Sequence, residues 1–272
     1  MPWIRNRNTK LYYEEYGGGA PVLFFSGVGG GTWSWYCQIP YFKQHYKIIL
    51  LDNRGAGKSD KPPEAYSMND FAIDGAFLLD SLGIEKVLVV GVSMGGMIAQ
   101  SFALQYPHRV KALVLGATHC GGNERIPPSP EVLERFMKNE DLSPEEIIDK
   151  NVPLLFSANF IEKDKESVER YKHVQLKAGV QPQFALENQL IAIKTFSCCH
   201  RLHEINVAVM VVSGDEDVLV PLENSRLLAK RISLCRLEIL RGIGHAIHLE
   251  SSGQFNKLVD GFFQGVLHEN EA

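Results

Sequence analysis

The residues able to do chemistry in this sequence sit in three stretches far apart along the chain: Gly91-Val92-Ser93-Met94-Gly95-Gly96, Gly214-Asp215-Glu216-Asp217 and Gly242-Ile243-Gly244-His245. A serine hydroxyl is a weak nucleophile until a base takes its proton, and the base needs an acid to fix its tautomer and steady its cation. The three stretches offer one of each, in the order serine, acid, histidine used where the serine sits on a strand-to-helix turn. Ser93 lies in the pattern G-x-S-x-G. Its flanking glycines are expected for steric reasons, since Cβ atoms two residues before and two after the serine would collide with strand and helix. His245, one of nine histidines, alone follows a late apolar run on a short Gly-x-Gly loop. It is the expected base, with His248 as the alternative. Asp217, four residues before Pro221, is the expected acid because it can reach across to the histidine loop, whereas Asp215 is expected to cap the turn.

Acyl chemistry also needs donors where negative charge develops. The first N–H groups of a helix have no partner within it and lie at the positive end of its dipole, so Met94 N–H is one expected donor. The second is expected from the loop Ser26-Gly27-Val28-Gly29-Gly30-Gly31-Thr32-Trp33, with Val28 best placed and Gly27 and Gly29 as its neighbours. This loop does not read as a nucleotide cradle. Thr32 stands where G-x-G-x-x-G requires its last glycine, and no P-loop lysine follows.

The elements that must position these groups are legible around them. Val22-Leu23-Phe24-Phe25, Lys47-Ile48-Ile49-Leu50-Leu51, Val87-Leu88-Val89-Val90, Val110 to Leu115, Val207 to Val212 and Leu237 to Leu240 read as strands, several of them continuous apolar runs suited to a sheet covered on both faces. Trp3 to Tyr16 reads as an antiparallel hairpin at the sheet's edge, turning around Asn6-Arg7-Asn8. A helix is expected from Ser67, with Asp70 three residues on, to Gly83. Others follow Ser93 and Pro221, and the last runs from about Ser252 to Phe263. Asp52 and Arg54, in the turn after the second apolar run, are expected to pin it by ion pairing and hydrogen bonds rather than to catalyse. From roughly Gly121 to His203 charged, helix-forming segments replace the apolar runs, with Ser143-Pro144-Glu145-Glu146 a helix start. This reads as a helical insertion lying over the carboxyl edge of the sheet, its aromatics mostly packing.

The 272 residues are 45% hydrophobic and 22% charged, with a formal net charge of −4, ordinary for a globular protein and no footprint for nucleic acid or an anionic membrane. A small-molecule partner is expected. Met1-Pro2-Trp3-Ile4-Arg5 lacks the apolar core of a signal peptide and no apolar run spans a membrane, so a cytoplasmic protein is expected. Cys37, Cys120, Cys198, Cys199 and Cys235 lack C-x-x-C or Cys/His zinc spacing and are expected to be buried free thiols. Adjacent Cys198 and Cys199, with His200 and His203, are poorly suited to share one tetrahedral ion. No metal or organic cofactor is expected.

Taken together, Ser26-Gly27-Val28-Gly29, Asp52-x-Arg54-Gly55-x-Gly57-x-Ser59, Gly91-x-Ser93-x-Gly95-Gly96, Gly214-x-x-Asp217-x-x-x-Pro221 and Gly244-His245 make the whole chain resemble the α/β-hydrolase superfamily. The resemblance implies an α/β fold with a mostly parallel central sheet, helices on both faces and a helical lid. Residues 1–120 and 206–272 would form the core and 121–205 the lid. Within the superfamily the chain is similar to small lidded esterases and 3-oxoadipate enol-lactonase-like proteins. It departs from the pattern at Ser26 and Ala56, where histidine is common. The serine at the turn, where dehalogenases and epoxide hydrolases carry aspartate, implies acyl chemistry. The expectation is therefore a serine hydrolase acting on a small carboxylic ester or lactone through Ser93, Asp217 and His245, with Val28 and Met94 N–H groups as the oxyanion hole. A cofactor-free perhydrolase or haloperoxidase, a carbon–carbon bond hydrolase, and a slow-turnover ligand receptor on the same scaffold remain the alternatives.

Overall fold

The computed structural model describes residues 2–269. Strands β1 (Trp3–Asn6), β2 (Thr9–Tyr16), β3 (Ala20–Phe25), β4 (Tyr46–Leu51), β5 (Val87–Val92), β6 (Val110–Gly116), β7 (Ala208–Gly214) and β8 (Cys235–Leu240) form one sheet in the order β1-β2-β4-β3-β5-β6-β7-β8. The edge hairpin β1–β2 is antiparallel, as is β2 to β4, and every other pairing is parallel. Parallel neighbours require crossovers, and the helices supply them. Outside the insertion these are α1 (Ile39–Phe42), α2 (Met68–Ser81) and α3 (Met94–Gln105). The insertion contributes α4 (Pro130–Met137), α5 (Pro144–Leu155), α6 (Ala158–Lys163), α7 (Lys165–Ala178) and α8 (Gln183–Thr195). After β7 come α9 (Leu222–Arg231), α10 (Ile247–Glu250) and α11 (Ser252–Glu269), the last longer than the sequence led us to expect.

Successive residues of a strand face opposite sides of the sheet, and here both sides are buried. Val22, Phe24, Leu50 and Val90 pack with Trp35, Phe42, Phe255 and Phe263 on one face. Leu23, Phe25, Leu51 and Val89 pack with Phe71, Leu78, Ile98 and Phe102 of α2 and α3 on the other. The continuous apolar runs follow from this double coverage. Ser67 caps α2 through a reciprocal capping box with Asp70, and Gly83 takes the positive φ of 65° that terminates the helix.

Helices α4–α8 lie between β6 and β7, and α5 begins at the expected Ser143–Glu146 capping box. They have a small core of their own. Ile148, Val152, Phe156, Val168 and Tyr171 pack together with Ala246 and Leu249 from beyond β8.

One expectation needs correction, and another is met through a partner the sequence did not name. Cys120 and Cys199 are joined in a disulfide, leaving Cys37, Cys198 and Cys235 as thiols, of which only Cys198 is buried. No spacing rule links cysteines 79 residues apart; the exit of β6 and the segment after α8 bring them together. Arg54 does not pair with Asp52. It makes a bidentate contact with buried Asp74 of α2, at 2.7 and 2.8 Å, while Asp52 accepts from the Thr32 and Lys58 backbone N–H groups. The turn is pinned as expected, with Asp74 as the ion-pair partner, because α2 brings a carboxylate beneath it.

Candidate active site

Ser93 leaves β5 at φ 58°, in the left-handed region that a non-glycine residue occupies only when its surroundings impose it. Neighbouring glycines make room. A Cβ on Gly91 would lie 2.2 Å from the Gly95 carbonyl oxygen, and one on Gly95 would lie 1.9 Å from that of Phe25. Ser93 N–H donates to the Gly116 carbonyl at 2.9 Å, and Thr118 Oγ1 donates to the Ser93 carbonyl at 2.8 Å, so the turn is tied to the exit of β6.

Strands β3, β5, β7 and β8 are parallel, so the loops following them leave the sheet at one edge. That topology converges residues 93, 217 and 245. His245 Nε2 lies 2.9 Å from Ser93 Oγ, and His245 Nδ1 lies 2.7 Å from Asp217 Oδ2. Both His245 and Asp217 are buried. The other carboxylate oxygen of Asp217 accepts from the N–H groups of Leu219 and Val220 at 2.9 and 2.8 Å. With a carboxylate on Nδ1, that nitrogen carries the proton, and Nε2 is left to accept from the serine hydroxyl. Asp215 accepts from Gly242 N–H at 2.6 Å and stitches the β7 loop to the histidine loop, a tie between loops rather than the local turn cap expected of it. His248 is not part of the relay. Its ring packs against Trp35 and Phe255, and burial, reinforced by nearby His245, pushes its pKa down to about 3.

The glycine-rich loop approaches Ser93 from β3: a Cβ on Gly27 would lie 3.2 Å from that of Ser93. Gly30 N–H closes a turn on the Gly27 carbonyl at 3.1 Å, and Gly29 takes a positive φ of 67° within it. Gly29 N–H is engaged by Gln189 Oε1 at 2.9 Å, which removes it as an oxyanion donor. Among the described residues the N–H groups of Val28 and Met94 have no protein acceptor. Ser26 holds the loop from below. Its hydroxyl accepts from Trp35 Nε1 at 2.8 Å and donates to the Gly31 carbonyl at 3.1 Å.

Four positions went unmarked in the sequence because none belongs to a spaced motif: Thr118 beneath the serine, Gln189 on the glycine loop, Glu250 beside the histidine loop, and His119. Glu250 accepts from Gly244 N–H at 3.0 Å, from Ser157 N–H at 3.1 Å and from Ser157 Oγ at 2.5 Å. His119 Nδ1 accepts from Gly121 N–H at 3.1 Å, and burial, with Arg125 nearby, pushes its pKa down to about 4. Among the described residues no group of three or more His, Cys, Asp or Glu side chains is arranged to hold a metal ion, and no helix is long and apolar enough to cross a membrane.

The chain is 28% identical over 262 residues to a RutD protein of Azorhizobium caulinodans that bears the name of a carbamate hydrolase, covering 96% of this chain and 98% of that one. It is 28% identical to 3-oxoadipate enol-lactonase 2 of Acinetobacter baylyi, over 93% of each. Its structure matches that of Est816, described as an N-acyl homoserine lactone degrading enzyme, with a TM-score of 0.83 and 30% identity over 96% of this chain and 100% of that one. The model of the alpha/beta hydrolase fold family matches residues 20–252, and the chain belongs to that family.

Proposed function

We propose that the protein is a serine hydrolase of small carboxylic esters or lactones, with Ser93 as nucleophile, His245 as base, Asp217 as its acid partner, and Val28 and Met94 N–H groups as the oxyanion hole. The observation that carries this reading is the relay Ser93–His245–Asp217, with both links at hydrogen-bond distance and both His245 and Asp217 buried. As Ser93 Oγ attacks the carbonyl carbon, His245 Nε2 takes the hydroxyl proton and the two N–H groups receive the developing oxyanion. The tetrahedral species collapses to an acyl-enzyme as His245 returns the proton to the leaving alkoxide. Water, deprotonated by the same imidazole, then attacks the acyl carbonyl, and the second tetrahedral species collapses to the carboxylic acid as its bond to Ser93 Oγ breaks and His245 returns the proton to the serine. In a lactone the leaving alkoxide stays tethered to the acyl group, so one hydroxy acid is the product.

Residues 121–205 are the lid of this site, and residues 1–120 with 206–272 its core. The Cys120–Cys199 disulfide fits an oxidising setting better than the reducing cytoplasm expected above.

A panel of short p-nitrophenyl esters and five- to seven-membered lactones, run against wild type and Ser93→Ala, tests the reading. Turnover and fluorophosphonate labelling in the wild type, both lost in Ser93→Ala, are expected. Equal turnover by the two proteins would overturn it. Adding peroxide tests the rival acceptor, since a perhydrolase would convert the acyl-enzyme to a peracid in preference to the acid.

A further inference from the structure

We infer that Gln189, a residue of the helical insertion, is a positioning residue of the oxyanion hole, holding the loop that presents Val28 N–H. The inference rests on the acyl-transfer reading above and extends it to a part of the chain that carries no motif.

Gln189 is fully buried, on α8. Its amide is used at both ends: Oε1 accepts from Gly29 N–H at 2.9 Å, and Nε2 donates to the Arg54 carbonyl at 2.9 Å. One side chain therefore fixes the glycine loop after β3 to the turn after β4. Gln181 adds a second strap, its Nε2 reaching the Gly55 carbonyl at 3.3 Å and Gln189 Oε1 at 3.4 Å.

The loop needs an external tie. Five of its residues, from Gly27 through Gly31, include four glycines, and a glycine segment without Cβ atoms has few packing contacts to choose one conformation. Val28 and Gly29 occupy the centre of the turn closed by Gly30 N–H on the Gly27 carbonyl. A trans peptide is planar, so the engaged Gly27 carbonyl sends Val28 N–H the opposite way. That direction is productive only if the whole turn is held in place relative to Met94 N–H, and the bond from Gly29 N–H to Gln189 does this. The central Val28–Gly29 peptide is the one that flips most easily in such a turn, and an acceptor on Gly29 N–H opposes the flip. A buried Gln189 with its partner lost leaves unpaired polar groups, so the seated position of α8 is favoured as well.

The test is Gln189→Met, which keeps the volume and removes both hydrogen bonds. The probes are p-nitrophenyl butyrate and an aryl trifluoromethyl ketone, whose adduct with a serine mimics the oxyanion. Removing an oxyanion donor outright lowers turnover by roughly 10²–10³-fold, and loosening one should lower kcat by about 30-fold with KM within twofold. Affinity for the ketone should weaken by the same factor as kcat. Asn188→Ala is the control, since Asn188 Nδ2 donates from the same helix to the Pro63 carbonyl at 3.1 Å without touching the loop. It should leave kcat and ketone affinity within twofold even if its melting temperature falls. Should Gln189→Met not accumulate as folded protein, Gln189→Ala carries the same comparison. Wild-type kcat and ketone affinity in a folded Gln189 variant, or equal losses in Asn188→Ala, overturn the inference. Ser93→Ala separates the two levels. If it still turns over the ester, the acyl-transfer reading falls; if it is inactive while the Gln189 variant matches wild type, only the role of Gln189 falls.

Discussion

The two loops that bracket Ser93 are both fastened to the helical insertion, but by opposite chemistry. On the glycine-loop side the fastener is a neutral amide, Gln189, which accepts from one loop and donates to the other. On the histidine side it is a carboxylate, Glu250, which only accepts and so gathers three donors, Gly244 N–H, Ser157 N–H and Ser157 Oγ. Backbone contact reinforces this side: Ala246 N–H donates to the Leu155 carbonyl at 2.8 Å. The placement suits the charges the proposed reaction develops. A negative charge next to the histidine loop favours the imidazolium. The neutral fastener is indifferent to pH. The charged one is not, and the difference gives four ways to take the two sides apart.

The largest effect is expected from Asp217→Asn, which breaks the histidine side and leaves the glycine loop untouched. With an amide opposite Nδ1 the imidazole is free to adopt the wrong tautomer, and kcat should fall by roughly 10⁴-fold. Steady-state hydrolysis of p-nitrophenyl butyrate measures it. Asp215→Asn is the counterpart and should lose far less, because Asp215 contacts Gly242 N–H rather than the imidazole.

Next comes the root of α8. Cys199→Ala opens the disulfide at the junction where the insertion returns to the sheet, which should cost about 2–4 kcal/mol of unfolding free energy. Denaturant titration of the variant, and of wild type with and without dithiothreitol, reads this directly. An unchanged midpoint on reduction would mean that the insertion is held in place without the bond.

Ser26→Ala acts on the glycine loop alone. It leaves buried Trp35 Nε1 without its acceptor, a loss of about 1–3 kcal/mol. Its melting temperature should fall without any change in the pH dependence of stability.

The smallest and most specific effect belongs to Glu250. Burial raises its carboxyl above the ordinary glutamate range, outweighing the Ser157 and Gly244 donors that favour the ionised form. The folded protein thus holds this proton more tightly than the unfolded chain. Its contribution to stability is fully present below the ordinary glutamate pKa and is lost as pH rises through the raised one. The stability of wild type relative to Glu250→Gln should accordingly decline as pH rises from the ordinary glutamate range to neutrality. His248, lowered to about 3, and His119, lowered to about 4, titrate with the opposite sign, but they do so in both proteins and cancel in the difference. Thermal melts across that range decide it, and a flat difference would remove the charged fastener from the comparison.

What could be read from residue order alone was whatever is enforced locally. The run Val87 to Val90 with its glycines forecasts the Ser93 turn because the steric demand lies within five residues of the serine. Ser67 with Asp70, and Ser143 with Glu146, forecast helix starts because a capping box closes over three residues. That His245 and Asp217 would meet Ser93 was legible because parallel strands deliver their loops to one edge, so the order of motifs stands in for their proximity. Asp74 beneath Arg54, Cys199 beside Cys120, Gln189 on Gly29 and Glu250 on Ser157 were not legible. Each pair lies between 20 and 160 residues apart, and neither member has a neighbour in sequence that betrays its partner. Sequence thus specified the chemistry on offer and the strand-and-helix frame that presents it, since both follow from short-range sterics and periodic burial. How the insertion is fastened to the two loops was left to the folded chain, because a hydrogen bond between remote segments exists only once packing has brought both ends into reach.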